Sequence, residues 1–234
     1  ASVVVGAGQA DARIGGTQFG KQEFWVNGCG MPSVKVRAWK RPGNYKTVIL
    51  LDGMRAQYDF SGWEINTNVQ ELVNRGVNGE ESRDMLARFE TQVFSENPDL
   101  VIWQLGSNSV LRDRPLSEAP APLHEGLKRL REHGADVVLM NPQYTPQVFT
   151  KHDVEGMVHL LDVTAKETSV DLFQRFALMR YWQLTEGMPF SAFTSPDDLH
   201  MNDWGYGCVA KLLAGAIYDA ATRPTLTATV NRRR

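Results

Sequence analysis

From about residue 67 onward, short continuous apolar runs alternate with longer stretches whose apolar residues recur three or four apart. Runs of the first kind predict buried strands, and the second kind predicts helices with one apolar face. Leu72-Val73 leads through turn residues, ending at Gly79, into Ser82 to Phe94, where Met85, Leu86, Phe89 and Val93 fall at helical spacing. Asp99 to Leu105 holds too many consecutive apolar residues for a strand with one wet face, so it reads as central and parallel. Leu123 to His133 has the pattern of a surface helix and Ala135 to Met140 that of the next strand. Asn141 to Pro146 ends that strand, because its prolines deny a hydrogen-bond donor and disfavour the α conformation before them. A helix over Val154 to Glu167, a brief strand over Val170 to Leu172, a helix over Arg175 to Leu184 and a last helix starting near Asn202 complete the pattern.

Residues 1–55 have a different texture, rich in glycine and β-branched residues. Val3 to Val5, Phe24 to Val26, Val34 to Trp39 and Thr47 to Leu51 read as short strands separated by turn signals. The chain is therefore expected to divide into a β-rich N-terminal segment, residues 1–55, and an α/β domain over residues 56–234. Strand one of the main sheet is either Val48 to Leu51 or Ser2 to Val5. Successive strand-loop-helix units imply a parallel sheet covered by helices, and in open sheets of that kind sites gather at the C-terminal ends of the strands.

Composition narrows the function classes. With 25 Lys+Arg against 27 Asp+Glu in 234 residues, the net charge of −2 gives no general attraction to nucleic acid. A chain of this length, 42% hydrophobic, can bury a sizeable core without a metal or disulfide staple. Its longest apolar runs are strand-sized, so no membrane span is expected. Cys29 and Cys208 permit one disulfide without requiring it. His152 and His159 stand seven apart and lack zinc-ligand spacing, and Gly6-Ala7-Gly8 lacks the third glycine of a dinucleotide loop, so neither a metal nor a cofactor is expected. Oligomeric state is open.

Chemistry concentrates at three places. Asp197-Asp198-Leu199-His200 lies before the last helix, and an Asp three positions ahead of a His can bond one ring nitrogen and leave the other facing a nucleophile. An imidazole titrates near neutrality, which suits a general base. Asn108 follows the central strand, where its amide can donate to a developing oxyanion, and Gly79 can offer a backbone N–H from the neighbouring loop. Each also has a plain structural reading, as a helix-start residue or a turn residue.

In this order, Gly79 within Asn74 to Glu80, Asn108 within Gly106-Ser107-Asn108-Ser109, and Asp197 with His200 resemble the second, third and fifth blocks of the SGNH hydrolases, the GDSL esterase and lipase superfamily. The resemblance covers roughly residues 67 to 220 and implies a three-layer, flavodoxin-like α/β sandwich. It assigns His200 as base, Asp197 as its orienting partner, and Gly79 and Asn108 as oxyanion donors. It also implies a serine-type hydrolase of carboxylic esters, with a short-chain ester, acylated sugar or lysolipid as substrate, in a periplasmic or secreted setting, the alternative being a cytoplasmic one.

The superfamily's usual Asp after the Asn is Ser109 here, and its Gly-Asp-Ser block is absent from the chain. Met54 or Gly8 stands where the nucleophile belongs, depending on which strand is first, and neither can attack a carbonyl. Ser61, in Asp59-Phe60-Ser61-Gly62, is the candidate for a displaced nucleophile, ahead of Ser33 and Ser109. The alternative is a catalytically impaired SGNH-like protein that binds a glycan or protein partner. Trp103 is expected in the sheet core, and the aromatic segment from Tyr181 to Phe193 is expected to supply core packing and a pocket wall.

Overall fold

The computed structural model describes Arg13–Ile14, Thr17–Gln18, Thr47–Leu51 and residues 71–222, with side chains over 73–213 and at Ile217. Among the described residues, five strands form one parallel sheet: β1 (Thr47–Leu51), β2 (Glu71–Asn74), β3 (Leu100–Gln104), β4 (Asp136–Met140) and β5 (Asp171–Phe173). Their order is β2-β1-β3-β4-β5, the flavodoxin-like order. Arg13–Ile14 and Thr17–Gln18 form a separate minimal antiparallel pair.

The topology decides between the two candidates for strand one. Thr47–Leu51 is hydrogen-bonded on both sides, with Ile49 opposite Val73 of β2 and Val101 of β3. It is the strand at which the direction of winding reverses, where doubly wound sheets place their ligands. Residues 2–5 lie outside the described residues.

Among the described residues, seven helices accompany the sheet: α1 (Ser82–Ala87), α2 (Ser107–Leu111), α3 (Pro120–His133), α4 (Pro146–Phe149), α5 (Val154–Thr168), α6 (Arg175–Leu184) and α7 (Asp203–Thr222). Every residue of β3 is buried, as its unbroken apolar run requires of a central strand covered on both faces. Val101, Trp103, Val137 and Leu139 share one core with Met85 of α1, Leu123, Leu127 and Leu130 of α3, and Met157 and Leu161 of α5. Leu100, Ile102, Val138 and Met140, which alternation sends to the opposite face, are equally buried, as are Leu178 and Met179 of α6 and Val209, Leu212 and Leu213 of α7. The result is the expected three-layer α/β sandwich.

One predicted element is corrected. The helix read over Ser82 to Phe94 breaks at Arg88, whose φ of −110° ends α1, and the chain continues as a π-helical turn over Phe89–Val93. The wider turn still buries both Phe89 and Val93, so the apolar pattern persists through the break.

The α3 helix approaches β3 so closely that a Cβ at Gly126 would lie 2.1 Å from Cη2 of Trp103. Trp103 is itself fixed by an indole N–H to Sδ of Met85 at 3.0 Å and by edge-on packing against Phe89. Gly126→Ala is therefore expected to destabilise the fold by about 1–3 kcal/mol through overpacking. Urea denaturation checks this, the expected result being a lower midpoint at unchanged slope.

Candidate functional site

The strand order directs attention to the C-terminal rim of the sheet, where the loops after β2, β3, β4 and β5 meet the loop that precedes α7. The loop after β2 is built rigidly. Arg88, displaced to the helix break, donates from Nε and Nη2 to the Glu80 carboxylate at 2.8 and 2.5 Å and from Nη2 to the Arg75 carbonyl at 2.6 Å. Both side chains of that ion pair are largely buried, which favours a fixed geometry over a fluctuating surface pair. The Gly76 N–H donates to Oδ1 of Asn74 at 2.8 Å, and the Glu81 N–H to Oδ2 of Asp84 at 2.9 Å, closing the loop at each end.

Gly79 sits in this loop at φ +80°, a left-handed conformation that an L side chain adopts only at a cost. Among the described residues, no acceptor takes its N–H. Asn108, at the start of α2, donates from Nδ2 to the Glu80 carbonyl at 2.8 Å, so its amide lies against the same loop, one residue beyond Gly79. Ser109 and Arg112 bond Glu81 at 3.2 and 2.7 Å and tie α2 to the start of α1. Gly79 and Asn108 are thus brought together by direct contact of their loops.

Asp197 and His200 are also brought together. Oδ2 of Asp197 lies 2.5 Å from Nδ1 of His200, while Oδ1 accepts the backbone N–H groups of Leu199 and His200 at 3.0 and 2.9 Å. Asp198, at φ +56°, makes the turn that folds the pair together. The loop is held to α4 by Gln147, whose side chain donates to the Asp197 carbonyl at 2.6 Å and whose backbone N–H donates to the Asp198 carbonyl at 3.1 Å. Both side chains are close to half exposed, at 47% and 43%. No serine among the described residues bonds the remaining ring nitrogen, Nε2. Ser61, Met54, Gly8, Ser33 and Cys29 lie outside the described residues, whereas Cys208 is buried on α7.

The polar residues that join the two halves were not singled out by sequence. Gln104 closes β3, Asn141 and Gln143 follow β4, and Arg175 opens α6, and all four are buried. Arg175 donates from Nη1 to Gln104, from Nη2 to Gln143 and from Nε to the Asn141 carbonyl at 2.7, 2.8 and 3.2 Å. Gln143 also accepts from Oγ of Ser107 at 2.7 Å and donates to the Leu199 carbonyl at 3.3 Å. The one signal in the chain was Gln104, a polar residue ending an otherwise apolar buried run. Of the aromatic segment, Trp182 and Phe193 are fully buried and pack edge-on, which makes them core, whereas the partly buried Phe190 stacks on Phe149 at 5.6 Å. Among the described residues, no group of three or more His, Cys, Asp or Glu is arranged to hold a metal, and no helix is long and apolar enough to cross a membrane.

Partial burial pushes the Asp197 carboxyl up, but the bonds from the His200 ring and from the His200 and Leu199 N–H groups outweigh it and hold the carboxyl below its ordinary value. A carboxylate lowered in the folded state stabilises above its unfolded pKa of about 4 and loses that contribution as the pH falls through the folded value. The melting temperature of the wild type is thus expected to exceed that of Asp197→Asn at neutral pH, with the gap closing below about pH 4. Melts of both proteins across that range check the sign, since a gap that widens in acid contradicts it.

The chain matches the non-GDSL lipase-like family over residues 64–223. Solved structures of the same fold include the acetyl xylan esterase AlAXEase, 21% identical with a TM-score of 0.59, the match covering 70% of this chain and 96% of that one. A catalytic mutant of Axe2, an acetylxylan esterase from Geobacillus stearothermophilus, is 20% identical with a TM-score of 0.61 over 77% of this chain and 98% of its own. The lipase/acylhydrolase from Enterococcus faecalis is 19% identical with a TM-score of 0.58, over 74% and 96%. No curated protein matches the sequence. Since the matched region takes in every strand-loop-helix unit from β2 to α7, the chain belongs to the non-GDSL lipase-like family and has the SGNH-hydrolase fold.

Proposed function

We propose that this chain binds the acyl group of a small acylated molecule, an acetylated sugar in the first instance, at the rim bearing Gly79, Asn108, Asp197 and His200, and that its hydrolytic chemistry is impaired at the nucleophile. The observation that carries this reading is the place of β1. The strand at the switch point is Thr47–Leu51, and the sequence after it reads Asp52-Gly53-Met54, which supports a thioether standing where the superfamily's serine is expected. Support for the ligand class comes from the solved acetylxylan esterases of the same fold. The catalytic mutants of Axe2 include replacements of an aspartate and a histidine three positions apart, the spacing of Asp197 and His200.

In this reading the Gly79 N–H and the Asn108 amide polarise the acyl carbonyl, and Asp197 holds the imidazole so that Nε2 can take a proton. With a hydroxyl present, its oxygen attacks the carbonyl carbon while Nε2 takes the hydroxyl proton. The tetrahedral oxyanion then collapses, and the departing alcohol receives that proton. Without one, the same base has only water to activate, and turnover is slow.

A second reading keeps full serine-type ester hydrolysis with Ser61 as a displaced nucleophile. What favours it is the intact Asp197–His200 pair with no described partner on Nε2.

Hydrolysis of an aryl acetate by wild type, Ser61→Ala, His200→Ala and Met54→Ser separates the two. On the proposed reading, Ser61→Ala leaves the slow wild-type rate unchanged, and Met54→Ser raises the rate by about tenfold or more in a His200-dependent way, with Asn108→Ala then removing about a hundredfold. No gain in Met54→Ser overturns the placement of the nucleophile, and an acyl or phosphonyl adduct on Ser61 of the wild type establishes the second reading instead.

A further inference from the structure

Gln143 makes bonds that tie three loops of the rim together. Its amide oxygen is shared by two donors, Nη2 of Arg175 and Oγ of Ser107, while its amide nitrogen reaches the Leu199 carbonyl. Ser107 immediately precedes Asn108, and Leu199 immediately precedes His200. The oxyanion side and the base side of the rim are therefore joined through one fully buried side chain.

Arg175 fixes which way that amide points. It is 0% exposed, and among the described residues no carboxylate forms an ion pair with it, so its charge is met by the neutral oxygens of Gln104, Gln143 and Asn141. A buried cation holds such acceptors firmly because losing one exposes it to the full cost of desolvation. With two donors converging on Oε1, the Gln143 amide presents Nε2 to Leu199 and not the reverse. A glutamate at this position would satisfy Arg175 and Ser107 more strongly, as a charge-assisted acceptor, but it would turn a lone pair toward the Leu199 carbonyl. The presence of glutamine beside a buried guanidinium points to use of its donor half.

Resting on the site proposed above, we propose that Gln143, oriented by Arg175, is a positioning residue that sets the Asp197–His200 loop relative to Asn108. The Leu199 carbonyl that Gln143 holds and the His200 N–H that donates to Oδ1 of Asp197 belong to one peptide group. Removing the amide donor therefore frees that group to turn, withdraws a bond that orients the carboxylate, and with it the Nδ1–H bond to Asp197 that selects the ring tautomer. Free imidazole favours the Nε2–H form, so the tautomer of His200 reports whether the clamp is acting.

The test is ¹⁵N NMR of the His200 ring at alkaline pH, alongside thermal melts, in the wild type, Gln143→Glu and Gln143→Met. The expected result is an Nδ1–H ring in the wild type and loss of that form in both variants, with Gln143→Glu melting no lower than the wild type because it still satisfies Arg175. A His200 ring that stays Nδ1–H in either folded variant overturns the proposal and leaves Gln143 as core packing. If one variant fails to fold, the other decides alone. In the Met54→Ser background, Gln143→Glu is expected to lower kcat with KM little changed. Should that background show no hydrolysis at all, the functional reading fails while the tautomer measurement still judges the clamp.

Discussion

A buried guanidinium whose hydrogen bonds, among the described residues, all go to uncharged oxygens is the interaction on which the rim of this molecule depends. Arg175 reaches the end of β3 through Gln104 and the loop after β4 through Asn141 and Gln143, from its own place at the start of α6. Asn141 adds to this by donating to Gln174 and accepting the Phe176 N–H, which anchors the helix that carries the arginine. Burying a charge is unfavourable by several kcal/mol on the order expected for a relaxed protein interior, and it is tolerated only where every surrounding dipole is correctly oriented. The loops at the ends of three strands are therefore not free to vary independently.

Around that centre the two chemical pairs are set by shorter-range forces. Arg88 draws the Gly79 loop inward at a point where a helix changes pitch, and Asn108 closes on it from the neighbouring strand. Asp197 and His200 are organised within a single turn and attached to the body of the protein through Gln147 and Gln143. The hierarchy runs from a buried charge, through oriented amides, to two exposed groups whose own hydrogen bonds would not fix them in water.

Much of this architecture is legible from the pattern of residues because it follows from periodicity. Asp99 to Leu105 could be placed at the centre of a parallel sheet since only burial on both faces tolerates such a run, and Asp197 with His200 could be paired because both lie in one turn. Strand one could not be chosen from sequence, since Ser2 to Val5 and Val48 to Leu51 both contain adjacent β-branched residues and are followed closely by glycine, and it is the pairing of Val48 to Leu51 on both edges that gives that run its central place. The break at Arg88 leaves no trace either, because a π turn adds a residue and still returns Phe89 and Val93 to the core. Arg175 is invisible for a different reason: its partners lie 32 to 71 positions away in the chain and share no repeat with it.

The double-sided pairing of β1 also bears on how the chain reaches this state. Val48 must meet Leu72 on one side and Leu100 on the other, whereas β3, β4 and β5 pair in the order in which they are made. During synthesis the first strand therefore leaves the ribosome with both of its edges unsatisfied and waits for two later segments, the kind of delayed long-range closure that slows parallel sheets and exposes them to wrong partners in the interval.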